Sequence, residues 1–125
     1  MEPVITTAEE AVAALRPHFE NAAREQIVVL YLAADRRLLG VSSHPGSTDF
    51  ADLPLRAIIA EALRLEAAGM IVAHAHPSGT AKPSEEDKAA TAVLARTARA
   101  LDIRLHDHLI FAGEAWASFR GLGLL

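Results

Sequence analysis

The chain has 125 residues, a formal net charge of −4 and no cysteine. With 51% apolar and 22% charged residues it reads as one soluble globular domain, long enough to bury about two thirds of its unfolded surface. The acidic balance argues against unaided binding to a phosphate backbone, and the missing cysteine removes disulfides, thiol nucleophiles, thiolate metal sites and the nucleobase-deaminase ligand pattern.

No basic segment opens the chain, so no signal peptide is expected. The longest apolar runs, Ile27–Ala34 and Met70–Ala73, are far shorter than a membrane span of ~20 residues. A cytoplasmic location is therefore the expectation. Thr7-x-x-Glu10 is a capping box and predicts a helix over 8–20. The run 25–33 (EQIVVLYLA) is apolar on both faces and predicts an interior strand. Asp35-Arg-Arg37 is a turn, and 38–43 returns as the second strand of a hairpin. Residues 42–52 are rich in Pro, Gly, Ser and Asp and read as a loop. Pro54 suits a first helical turn, and Leu55, Ile58, Ile59, Ala62 and Leu63 recur at helical spacing up to Gly69, the expected stop. A short apolar strand follows over 70–74, then a Pro/Gly loop over 77–83. A helix is expected from Ser84 to about Ala100 and a strand over 103–111, with Gly113 ending it. The tail around Trp116 and Phe119 is too short to assign. The order α-β-β-α-β-α-β predicts a layered α/β or α+β domain with a mixed sheet.

The chemistry concentrates in residues 74–87, His74-Ala-His76-Pro-Ser-Gly-Thr-Ala-Lys-Pro-Ser84-Glu-Glu-Asp87. On a strand, side chains at i and i+2 share a face, so His74 and His76 can direct their imidazoles into one space. Zinc takes imidazole nitrogens and carboxylate oxygens, and a catalytic zinc keeps one position for water. Asp87 can supply a third ligand if the loop folds back, and Pro77, Gly79 and Pro83 suit such a turn. Each piece also has a plain structural reading. A lone His-x-His is a weak signal, and Ser84-x-x-Asp87 is itself a capping box. The cap and the ligand set can coexist.

Taken together, His74-x-His76, seven further residues and then Ser84-x-x-Asp87 resemble the JAMM (MPN+) metalloprotease signature at every position. The run His-Pro-Ser-Gly…Pro-Ser-x-x-Asp from His76 to Asp87 is similar to the bacterial RadC-type branch. So are Glu25 with its apolar strand, Arg56, Thr91 and Leu-x-Asp-His-Leu-Ile over 105–110. The resemblance runs from about residue 20 to the C-terminus and marks 1–125 as a single RadC-type JAB/MPN-like domain. It implies a cytidine-deaminase-like three-layer α/β/α fold with a mixed central sheet. It implies Zn2+ held by His74, His76 and Asp87, with Glu25 as general base and then acid, and Ser84 donating to the oxyanion. The activity implied is hydrolysis of an amide bond in a peptide or a small-protein tail by a metal-activated water. Such chemistry has a physical basis, since zinc lowers the pKa of its water to about 7 and polarises a carbonyl, and a nearby carboxylate can carry the proton to the leaving amine. From the residues alone, Glu25 is one acid among many.

Three departures stand out. Ala75 replaces the Asn usual between the histidines, and at i+1 its side chain should point away from the metal. Leu55-Arg56-Ala57 keeps the arginine of the family's Pro-Arg-Glu and loses the acid. The helix-hairpin-helix part that usually precedes the RadC domain has no counterpart, so a stand-alone form is expected and nucleic acid is not an expected partner. Elsewhere, His106-Asp-His108 is a second His-x-His. Strand alternation places Arg104, His106 and His108 on one face, and Asp107 with Ile103, Leu105, Leu109 and Phe111 on the other. Asp107 and His108 are candidates to support a ligand imidazole from outside the metal's own shell. A hydrogen bond from Asp107 to nearby backbone is the competing reading. No third ligand suits a second metal there. His44 reads as a loop residue, His18 as helix surface, Trp116 and Phe119 as packing, and Arg24, Arg36 and Arg37 as a solvated turn. Two rival functions stay open, a non-catalytic zinc-containing binding module and a DNA-repair-associated accessory protein. A homodimer also stays open.

Overall fold

The computed structural model describes residues 3–19, 26–45, 53–76 and 79–125. In chain order its elements are α1 (Ala8–Leu15), β1 (Gln26–Leu32), β2 (Leu38–Pro45), α2 (Leu55–Arg64), β3 (Gly69–Ala75), α3 (Glu85–Ala100), β4 (Arg104–Ala112) and β5 (Ala115–Ser118). The strands form one sheet in the order β2-β1-β3-β4-β5. Only β3 and β4 run parallel, joined through α3; the other neighbours are antiparallel, so the sheet is mixed.

The apolar pattern of β1 explains the layering. Ile27, Val29 and Tyr31 enter one core cluster with Ile58 and Ala62 of α2 and Leu94 and Ala98 of α3. Val28, Leu30 and Leu32 enter a second cluster with Ala11, Val12 and Leu15 of α1. Both faces of β1 are therefore covered, and helices flank the sheet as an α/β/α sandwich. Trimming a fully buried residue such as Leu30 to alanine should cost about 2–5 kcal/mol.

Several element ends differ from the expectation. The first helix stops at Leu15 rather than running to 20, and Arg16–His18 form a 3-10 turn. Pro17 has no N–H to continue the helical ladder and its ring crowds the preceding turn. The second helix stops at Arg64, well before Gly69. Glu66 takes a left-handed φ of 53°, and Ala67 N donates back to Ala62 O at 2.9 Å. That closure frees Gly69 to begin β3. Strand β2 extends through Pro45. The tail left unassigned supplies β5, which pairs with β4 across a two-residue turn, Ala112 facing Ala115. Gly113 opens that turn with a φ of 61°, the left-handed position such a hairpin requires.

The largest correction concerns β4. Met70 pairs with Leu105, but Ile71 pairs with Asp107, so one residue, His106, is inserted as a bulge. The insertion shifts alternation by one. Ile103 and Leu105 face the α2/α3 core, whereas Leu109 and Phe111 face the α1 core. Ile103 and Leu105 thus do not share a face with Asp107, and His106 and His108 do not share one with each other.

Candidate metal centre

Strand β3 carries His74 at its C-terminal end, on the same face as Met70 and Val72. Ala75 turns to the other face, against the α1 core. His76 follows directly after the strand, its N–H held by Phe111 O at 2.8 Å. Opposite stands the N-terminus of α3. Ser84 is its N-cap, and the capping box is complete: Asp87 N donates to Ser84 Oγ at 3.0 Å, and Ser84 N donates to Asp87 Oδ2 at 2.8 Å. That box turns the Asp87 carboxylate toward β3. One donor atom each from His74, His76 and Asp87 lies within 4.8 Å of the others, and Asp87 is 2% exposed.

Hydrogen bonding fixes which atoms face the centre. His76 Nδ1 lies 2.9 Å from Thr80 O, and a carbonyl only accepts, so Nδ1 carries the proton. A longer chain fixes His74. Thr91 Oγ1 donates its one proton to Asp87 O at 2.6 Å. Its 2.7 Å contact with His108 Nδ1 therefore has the imidazole donating. His108 Nε2 is then the acceptor, and His74 Nδ1 donates to it at 2.8 Å. The protons are assigned from these partners. Both ligand-type imidazoles thus turn Nε2 toward Asp87, His76 at 3.0 Å from Oδ2 and His74 at 3.5 Å from Oδ1. Three lone-pair-bearing groups face one another in a buried site. Such a meeting is repulsive without protons or a cation between them. Two imidazole nitrogens and a carboxylate are also the donors zinc prefers, so the set fits a metal.

Burial alone would raise the Asp87 carboxyl, but a proton on His74 Nε2 together with the hydrogen bonds of Ser84 would hold it well below the usual carboxylate range, and a cation in that proton's place acts in the same direction. It is therefore ionised, as a ligand must be. Burial pushes the His108 imidazole far below its ordinary value, so it stays neutral and able to accept from His74. Phe119 stacks on it, centroids 4.3 Å apart at 23°.

Other sequence candidates fall elsewhere. Glu25 lies outside the described residues. Asp107 sits across the sheet from the cluster. It accepts from His108 N at 2.8 Å, Ser118 Oγ at 2.5 Å and Arg120 N at 3.1 Å, so it holds backbone and the C-terminal turn rather than a ligand imidazole. His108, not Asp107, reaches His74. His44 is on β2 rather than in a loop; it and His74 both pair with Ile27, so all three share one row of the sheet. Its Nε2 meets Ser42 Oγ at 2.8 Å, and Ser42 Oγ meets Tyr31 OH at 2.7 Å. His18 lies in the 3-10 turn. Sequence reasoning missed the part Thr91 plays. The signal was present, because Asp87 and Thr91 are four apart on one helix and share a face.

A three-layer domain with a mixed sheet, a His-x-His at one strand end and a Ser-x-x-Asp helix cap beside it defines the JAB class. Residues 5–124 match the RadC-like JAB domain, and the chain belongs to that family. It is 38% identical over 112 residues to UPF0758 protein YkfG of Escherichia coli K12, covering 89% of this chain and 71% of the relative. It is 40% identical over 106 residues to UPF0758 protein Bpet3149 of Bordetella petrii, covering 84% of this chain and 47% of the relative. It is 38% identical over 103 residues to UPF0758 protein YfjY of Escherichia coli K12, covering 82% and 64%. The chain thus spans from about half to about 70% of the length of these relatives. No helix among the described residues is long and apolar enough to cross a membrane.

Proposed function

We propose that this domain is a zinc-dependent metallopeptidase or isopeptidase that hydrolyses an amide bond in a peptide or small-protein tail. The observation that carries the reading is the convergence of His74 Nε2, His76 Nε2 and the ionised Asp87 carboxylate, each held from behind by its own hydrogen bonds. Zinc in that donor set would supply Lewis acidity and a water of pKa about 7. In this reading Glu25 takes the proton of the attacking water and delivers it to the leaving amine. Ser84 Oγ accepts from Asp87 N, which leaves its own hydroxyl proton free to donate to the developing oxyanion. His108 and Thr91 keep His74 in the tautomer that presents Nε2. The domain is taken as cytoplasmic, and nucleic acid has no part in the reaction.

Purified protein should hold about one zinc per chain by elemental analysis. His74→Ala/His76→Ala should reduce that to background, and unchanged metal content would remove the site. The reaction is tested with a peptide library scored by mass spectrometry for new termini. Wild type should cleave, and Glu25→Ala should keep its zinc and cleave nothing. Equal cleavage by the variant would displace Glu25 as the base. Zinc retained without cleavage by wild type would favour a non-catalytic binding module. A duplex-DNA titration at low salt separates the accessory role, and absence of binding there excludes it.

A further inference from the structure

A cavity of about 280 Å3 lies on the α1 face of the sheet, the face opposite His74. Ile71, His106 and Asp107 of the sheet, the start of α1, and Arg36 and Arg120 line it. Its size is near the lower end of the ~300–1,000 Å3 typical of ligand sites.

The polar groups around it are unevenly matched. Asp107 is saturated by its three donors from His108, Ser118 and Arg120. Glu10 is equally occupied, its Oε1 taking the backbone N–H groups of Thr6 and Thr7, both at 3.0 Å. The cations are not matched in this way. Arg36 is half-buried, and its guanidinium has no carboxylate partner among the described residues. Arg120 spends Nε on His106 O at 2.7 Å, and its terminal nitrogens have no such partner among the described residues. The Nδ1 atom of His106 is buried and makes no hydrogen bond among the described residues. Burial first, then Arg36, Arg104 and Arg120, push this imidazole down to about 4. Among the lining residues two guanidinium groups, Arg36 and Arg120, stand against one carboxylate, Asp107, whose acceptor sites are taken, and the acidic residues of the first turn of α1, Glu9 and Glu10, are not in the lining. Gly69 gives the ring its place, because a Cβ there would collide with it.

We propose that this cavity is a second ligand site, which takes the oxyanion of a small phosphorylated or carboxylated molecule between Arg36, Arg120 and His106. Guanidinium groups match phosphate and carboxylate oxygens in forked pairs. The neutral His106 ring lines the cavity beside them.

The test uses the full chain, isotope-labelled for NMR, at low ionic strength. Inorganic phosphate is titrated in one arm and succinate in the other. Saturable shifts are expected at the His106 ring and at the Thr6–Ala8 amides, and the tighter arm identifies which oxyanion the site prefers. Arg36→Asn should weaken binding about tenfold. Asparagine tolerates the left-handed φ of 68° at that position, so the fold is kept. No saturable shift in either arm, shifts spread evenly over all arginines, or wild-type affinity in Arg36→Asn would each overturn the proposal. The readout is independent of hydrolysis and of metal content.

Discussion

Two His-x-His pairs lie on neighbouring parallel strands of the same sheet, and they behave in opposite ways. His74 and His76 gather at one centre, rings 4.8 Å apart. His106 and His108 part company across the sheet. His108 enters the α2/α3 side to hold His74, and His106 lies with Asp107 on the α1 side. The sequence spacing is the same. The difference is a single inserted residue in β4. A period-2 argument holds only while the ladder is regular, and a bulge inverts every assignment beyond it.

The strongest way to break this contrast is to insert one alanine between Asp107 and His108. Alternation would then send His108 to the α1 face, away from His74. Unfolding free energy in urea should fall by about 3 kcal/mol or more, with loss of bound metal. An insertion variant as stable and as metal-rich as wild type would mean that the phase of the strand does not place His108. Point substitutions sharpen the contrast. His108→Ala should lower zinc affinity about 10–100-fold, whereas His106→Ala should leave it within about twofold. Competition with a chelating dye reads both, and equal losses would erase the distinction between the pairs.

Thr91→Val tests the next link. The variant keeps the shape but leaves His108 Nδ1–H without its acceptor, a cost of about 1–3 kcal/mol by thermal or chemical unfolding. A neutral result would mean that another group holds the His108 tautomer.

The smallest effect is a pH dependence owed to His106. Folded, its pKa is about 4; its ordinary value is 6.5. Between those values the unfolded chain binds the proton and the folded chain resists it, so stability falls as pH drops from 6.5 to 4 and then levels off. The ring is half-buried, and solvent screening limits the loss to about 1 kcal/mol. His106→Gln should flatten that part of the stability profile. An unchanged slope would assign the acid sensitivity to other groups.

Much of the fold was legible because its signals are local. The Thr7 and Ser84 capping boxes, the doubly apolar β1 and the helical spacing of α2 each follow from neighbours in sequence. What escaped depends on closure or on distant partners. The end of α2 rests on Glu66 accepting a left-handed backbone, which its residue type does not advertise. Strand β5 is four residues long and exists only because β4 offers an edge. At the site, the cluster His74, His76 and Asp87 was legible as a spaced pattern. His108 was legible as a candidate support for a ligand imidazole, but the part of Thr91 was not, because it follows from a hydrogen-bond chain that runs between β3, β4 and α3.

Asp87 is at once the third residue of a helix and the carboxylate of the cluster. Its rotamer is chosen when α3 forms, before any ion arrives. Capturing a cation therefore requires little reorganisation of that ligand, and the helix would remain intact when the ion leaves. A domain wired in this way would take up and release a cation without refolding, unlike small zinc modules whose ligands are ordered only by the ion.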